Sequence, residues 1–281
     1  MSDFVPGWFR RGERGTLLPQ ALAASLWSDT QMHGVAVSGL LALTLEEHVA
    51  ELGRPDLVPT RYHVDLFRPA RMVPSVGRAT VVRSSARLLL LDAVMEQDGE
   101  PVARASALFL RPGEDPAGTL WTAADRPAPP GLDVVPNDGA HHVPFFASDA
   151  PWSQNFGEHQ NAGRHATWQT AMPVVVGEEA TPFQAVASVA DATSMVTNWG
   201  SGGIEYINTD IDLTLARRPD STTLGIRATD HVAAQGLAVG TAEVFDRSGP
   251  LGTATVTAMS NVKRTVDLGG PENPILGPDR V

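Results

Sequence analysis

Separate stretches of this chain repeat one another at one fixed distance. Arg68-Pro69 recurs as Arg218-Pro219, and Gly99 of the segment DGEPVARASA recurs as Gly249 of SGPLGTATVT, each 150 positions further on. The same offset carries the apolar run that begins near Gly34 onto the run that begins near Gln184. One spacing kept across helix, strand and hairpin signals a duplicated unit, so the fold of the first half must also be the fold of the second.

The unit can be read from its first copy. Residues 34–45, GVAVSGLLALTL, are apolar almost all round, which calls for burial on most sides, yet the run is too short to cross a bilayer. Residues 61–68, 76–84, 88–97 and 101–110 read as strands, with a turn signal at Gln97-Asp98-Gly99; residues 16–19 make a further short strand. The pattern predicts a sheet curled round one central helix. In residues 111–139, Pro112, Pro116, Pro127, Pro129, Pro130 and Pro136 read as an extended linker. The expected organisation is two units, 1–112 and 141–264, joined by a proline-rich linker, 113–140. Residues 265–281, rich in Gly and Pro, form a loose tail or a strap. An antiparallel sheet has open edges that must be paired or blunted, so the two units should pack with their sheets side by side, and a homodimer or higher homo-oligomer is expected.

The second copy holds the chemistry. Residues 183–197 have helical apolar spacing, and Asp191 falls inside that run with Ala187 and Met195 one turn away, so no cation on the helix offsets its desolvation. In the strand that follows, Ile207, Thr209, Ile211, Leu213 and Leu215 alternate with Asn208, Asp210, Asp212 and Thr214. That period of two puts Thr209 on the inner face and Asn208 on the outer one. One acid and one hydroxyl facing each other can hold a water. Each residue also has a plainer reading: Asp191 as an N-cap after a helix break, Thr209 as an ordinary β-branched strand residue.

Composition removes several classes. With 21 basic against 32 acidic residues, a formal charge of -11, no basic stripe for nucleic acid is expected. Lys263 is the only lysine and there is no cysteine, which sets aside a lysine Schiff base, disulfides and thiolate chemistry and fits a reducing, cytoplasmic setting. The first fifteen residues lack the apolar core of a signal peptide, and no membrane partner is expected. The histidines lack the spacing of a metal site, and no metal or cofactor is implied. Gly200-Ser201-Gly202-Gly203 follows a helix instead of leading into one, which suits a helix cap and loop better than a phosphate cradle.

The motifs MHGVAVSGLL and VDLFRPA in the first half, and VADATSM, YINTDIDLTLARRP and SGPLGTATVT in the second, resemble the TesB-like acyl-CoA thioesterase II family. The resemblance covers nearly the whole chain. It implies an α+β double hotdog, two tandem units each with an antiparallel sheet wrapped round a central helix, and hydrolysis of acyl-CoA by an activated water. The family uses an Asp on the second helix, a Thr or Ser on the next strand and a Gln on the last strand. These carry over to Asp191 and Thr209, but the position of the Gln is held by Thr257, whose single hydroxyl is shorter and has fewer donors. An acyl-CoA or acyl-chain binding protein of the same fold, without catalysis, is the alternative. A hotdog hydratase fits less well, because no Asp is followed closely by a His at a helix start. Backbone N–H groups at the start of the first helix, His33-Gly34, are candidates for the oxyanion, although Gly there is equally a permissive cap. Arg68, Arg71, Arg217 and Arg218 are candidates for the coenzyme A phosphates, or else solvated strand ends.

Overall fold

Strands β1 (Phe9–Arg11) and β2 (Leu17–Pro19) pair as a small antiparallel unit ahead of the first helix. Helix α1 (Gly34–Glu51) starts at His33, whose Nδ1 accepts from the Ala36 N–H at 3.0 Å, the work usually done by a Ser or Asp cap. Its buried residues run round the helix from Ala36 to Val49. Leu40, Leu41 and Leu45 are wholly inaccessible, each stabilising the packing by about 1.5–3 kcal/mol. Four antiparallel strands follow: β3 (Val58–Asp65), β4 (Val76–Ser84), β5 (Leu88–Gln97) and β6 (Glu100–Leu110). The turn between the last two has Asp98 at φ 52° and Gly99 at φ 80°, the two positive values that a tight hairpin turn needs.

The structure, a computed structural model, describes residues 5–136 and 141–269. After the linker come β7 (Phe145–Ala147), the short α2 (Phe156–His159), β8 (Ala166–Thr170), α3 (Pro182–Val189) and α4 (Ala192–Asn198). Two-residue strands β9 (Trp199–Gly200) and β10 (Gly203–Ile204) pair across the glycine-rich loop. Then come β11 (Tyr206–Asn208), β12 (Asp210–Leu215), β13 (Thr223–Ala234), β14 (Leu237–Asp246) and β15 (Gly249–Ser260). The main sheet runs β4-β5-β6-β3-β12-β15-β14-β13-β8-β7. Its first eight positions read alike from either end once each strand is replaced by its counterpart in the other half. The halves join where β3 pairs with β12, from Asp65 opposite Asp210 to Arg61 opposite Thr214. The fold is the α+β double hotdog, with α1 packed on β4, β5 and β6 and α4 on β13, β14 and β15 of one continuous antiparallel sheet.

Two expected elements are broken. The helix expected over 183–197 is two helices separated at Ala190-Asp191, and the strand expected over 207–215 is interrupted at Thr209. Pairing with β15 shows why: Asn208 lies opposite Ala258, but Asp212 lies opposite Thr255, a register shift of one residue. An extra residue in one strand reverses the facing of everything before it.

The described part of the linker lies over the outer face of the second unit, where Val135 packs with Trp168 and Phe245 and Arg126 pairs with Glu243. Val266 exchanges backbone hydrogen bonds with Ile204, and Leu268 is buried beside it; residues 270–281 lie outside the described part of the chain. No described helix is long and apolar enough to cross a membrane.

Candidate active site

Helices α1 and α3 lie side by side and antiparallel. The Ser38 hydroxyl donates to the Ala187 carbonyl at 2.7 Å, and at the far end Glu46 accepts from Thr181 and the Gln184 amide at 2.7 and 2.9 Å. This alignment brings the residue just past the end of α3, Asp191, against the first residue of α1, Gly34. Asp191 does stand at the N-cap position of α4, but its side chain makes no cap bond. Instead its Oδ1 accepts from Asn208 Nδ2 at 2.9 Å, and the Val35 N–H at the start of α1 also favours its charged form. Burial pushes the Asp191 carboxyl up to about 6, and the two donors pull weakly the other way. A group poised there is a carboxylate at neutral pH and a far stronger base than an exposed aspartate.

The carboxylate sits on the wall of a cavity of about 1170 Å³. Its apolar lining includes Trp8, Leu26, Trp27, Phe146, Met195 and Met259, a surface suited to a hydrocarbon chain. Thr209, Asn208, Asp210, Gly34 and Arg68 also line it. Among the described residues, no group of three or more His, Cys, Asp or Glu is placed to hold a metal.

Of the candidates from the sequence, Asp191, Thr209, His33, Gly34 and Arg68 share this cavity. The His33 groups are engaged in structure: its backbone N–H donates to Ala23, and its ring takes Ala36 N–H on Nδ1 and meets the Leu22 carbonyl through Nε2 at 3.0 Å. With the Val35 N–H directed at Asp191, Gly34 supplies the N–H of the helix start that lines the cavity, at a position where no intrahelical acceptor exists. Thr209 Oγ1 donates to the Thr257 carbonyl at 3.2 Å, leaving its lone pairs to receive a hydrogen bond.

The other candidates are elsewhere. Thr257 is exposed, and its neighbours Val256 and Ala258 are the residues of β15 that turn inward; only its backbone touches the site, through Thr209 and Asp210. Arg217 is held by Asp246 through two hydrogen bonds of 2.6 and 2.9 Å. With Arg218 it lies past the end of β12 remote from Asp191, because Arg61, not Asp65, is the neighbour of that end. Arg71 pairs with Asp98 beside the β5–β6 turn. Arg68 remains at the cavity, with a loose, exposed contact of 3.5 Å to Glu100.

Strict alternation turned Asn208 away from the helices; the extra residue turns it back. A signal was present in the run Asn208-Thr209-Asp210, since Asn and Asp are poor strand formers and two of them flanking one residue mark a break as much as an outer face.

Family models match both halves: one described as "Acyl-CoA thioesterase N-terminal domain" over residues 23–110, and one described as "Acyl-CoA thioesterase C-terminal domain" over residues 120–260. No curated protein matches the sequence. Among solved structures, the chain is similar to a tesB protein of Mycobacterium avium subsp. paratuberculosis, at TM-score 0.61 and 14% identity, over 90% of this chain and 95% of that one. It is similar to acyl-CoA thioesterase II TesB2 of Mycobacterium marinum, at TM-score 0.58 and 15% identity, over 90% and 95%. A conserved protein of unknown function with a hot dog fold from Alicyclobacillus acidocaldarius gives TM-score 0.59 and 19% identity, over 89% and 94%. At such identities the structures speak for the fold, and the matched domains speak for the family: the chain belongs to the acyl-CoA thioesterase family, with its N-terminal and C-terminal domains in tandem.

Proposed function

We propose that the protein hydrolyses acyl-CoA to a free acid and coenzyme A, with Asp191 as the base that takes a proton from water. What supports this is one carboxylate raised to about 6 on the wall of a large, mainly apolar cavity. The acyl chain lies along Trp27, Phe146 and Met195, which places the thioester carbonyl over the start of α1. Water held by Asp191 and Thr209 adds to the carbonyl carbon as its proton passes to the carboxylate. The oxyanion takes the Gly34 N–H, helped by the positive end of an 18-residue helix. The carbon–sulfur bond then breaks; a thiol of ordinary pKa about 8.5 leaves without a strong acid, and the proton on Asp191 can pass to it. Arg68 stands where it could meet a phosphate of the coenzyme.

We also infer units at 1–112 and 141–264 with the linker 113–140 and tail 265–281, association through the open sheet edges as a homodimer or higher homo-oligomer, and work in the cytoplasm.

One observation favours the binding-protein reading: Met259 lines the cavity and Thr257 does not, so the last strand contributes no polar side chain to the cavity wall. Free-thiol release across short, medium and long acyl-CoAs decides. Release that disappears in Asp191→Asn supports the thioesterase; tight acyl-CoA binding with no release in the wild type replaces it with the binder.

A further inference from the structure

The amide missing from the last strand has a counterpart on another. Asn208 ends β11, is turned toward the helices by the extra residue at the β11–β12 break, and reaches Asp191 Oδ1 at 2.9 Å. Its Nδ2 also donates to the Asp210 carbonyl at 3.3 Å. Both partners are acceptors, so the amide has a single workable orientation: flipped, its oxygen would face a carboxylate and a carbonyl. Both N–H groups are therefore engaged by acceptors of the protein itself.

We propose that Asn208 is the positioning residue for Asp191. It fixes the carboxylate against the start of α1 with an amide that comes from β11 and not from the last strand. The bulge is what makes this possible. A regular strand would have presented Asn208 to the outer face, and the β15 residue that lines the cavity, Met259, is apolar. The other titratable groups on the cavity wall are His33 before α1, Asp65 and Arg68 at the end of β3, His141 and Asp210. Asn208 Nδ2 is the side-chain donor to Asp191, so removing the amide removes that donor and leaves the charged groups of the wall in place.

This rests on Asp191 being the base, and the test separates the two ideas. Asn208→Leu keeps the approximate volume and deletes the amide; Asn208→Ser, too short to reach, is the second variant in case the first does not fold, and Asn208→Gln tests rescue. In thiol release, Asn208→Leu should lower kcat roughly 10- to 100-fold, as loss of one hydrogen bond to a charged group does. KM should stay within about twofold, and the acid limb of the pH profile should move upward. Carboxyl ¹³C NMR of aspartate-labelled protein reads the same point without turnover: the Asp191 titration should move upward in Asn208→Leu or Asn208→Ser and return toward wild type in Asn208→Gln. An unmoved Asp191 titration in folded variants overturns the proposal whether or not the enzyme turns over. A moved titration in a protein with no thiolesterase activity upholds the coupling of Asn208 to Asp191 and sinks the catalytic assignment of Asp191 instead.

Discussion

Gly34 and Asp191 are in contact with no room for a side chain between them: a Cβ added to Gly34 would overlap Asp191 Oδ1 and lie against the rest of the carboxylate. The glycine is helical, so its value here is space and not a special φ. Gly34→Ala should therefore favour the helix slightly while pushing the carboxylate off the Val35 N–H and Asn208 Nδ2. Displacing a catalytic group by about 1 Å can cost roughly 100-fold in rate. The expected outcome is a loss of that order in kcat with unchanged far-ultraviolet circular dichroism; activity equal to wild type would mean that the Asp191 position is not critical.

Asp191→Asn should separate stability from activity. Because burial raises the folded pKa to about 6 from the ordinary 3.8, the native state binds more protons than the unfolded chain between those values. Stability attributable to Asp191 is then greatest below 3.8, falls as pH rises toward 6, and stays lower above it, by at most about 3 kcal/mol. Water entering the cavity reduces that figure. Asparagine carries no such charge, so at pH 7 the variant should resist urea better than the wild type while turnover falls roughly 100- to 10,000-fold. In the wild type, kcat should rise with pH through about 6 and then level off. A variant both slower and less stable at pH 7 would count against a desolvated base.

The sheet was legible in the sequence because its strands are set by local alternation and its two halves confirm each other through the 150-residue offset. Asp191 was legible because an isolated acid in an apolar run stands out. Its neighbours were not. Gly34 and Val35 come from the other half of the chain, and Asn208 depends on a one-residue bulge that period-two counting cannot see. The partner of Arg217 was hidden for a related reason: the sequence shows an arginine near a strand end but not Asp246, 29 residues on, whose carboxylate is buried beneath it.

Arg217→Ala tests whether that ion pair is structural. Asp246 would keep the N–H groups of Asp220 and Ser248 but lose its cation. Breaking a buried pair on one side costs about 3–5 kcal/mol, and two remaining donors should bring this to about 2–4 kcal/mol. Denaturant unfolding should show the loss, while KM for acyl-CoA stays within about twofold. A large rise in KM with unchanged stability would return Arg217 to the coenzyme site.

Thr257→Gln addresses the position where the family has its glutamine. If the last strand faced the site at 257, the longer amide would reach the water and raise turnover. In the structure Thr257 is exposed, and its flanking residues Val256 and Ala258 are the ones packed inward. Thr257 is not among the residues that line the cavity, so kcat and KM should both stay within about twofold of wild type, and stability should change little because the site is a solvated strand face. A rise of tenfold or more would mean that the longer amide reaches the site from the face that position 257 shares with the cavity-lining Met259, and the last strand, not Asn208, would then supply the amide that serves Asp191.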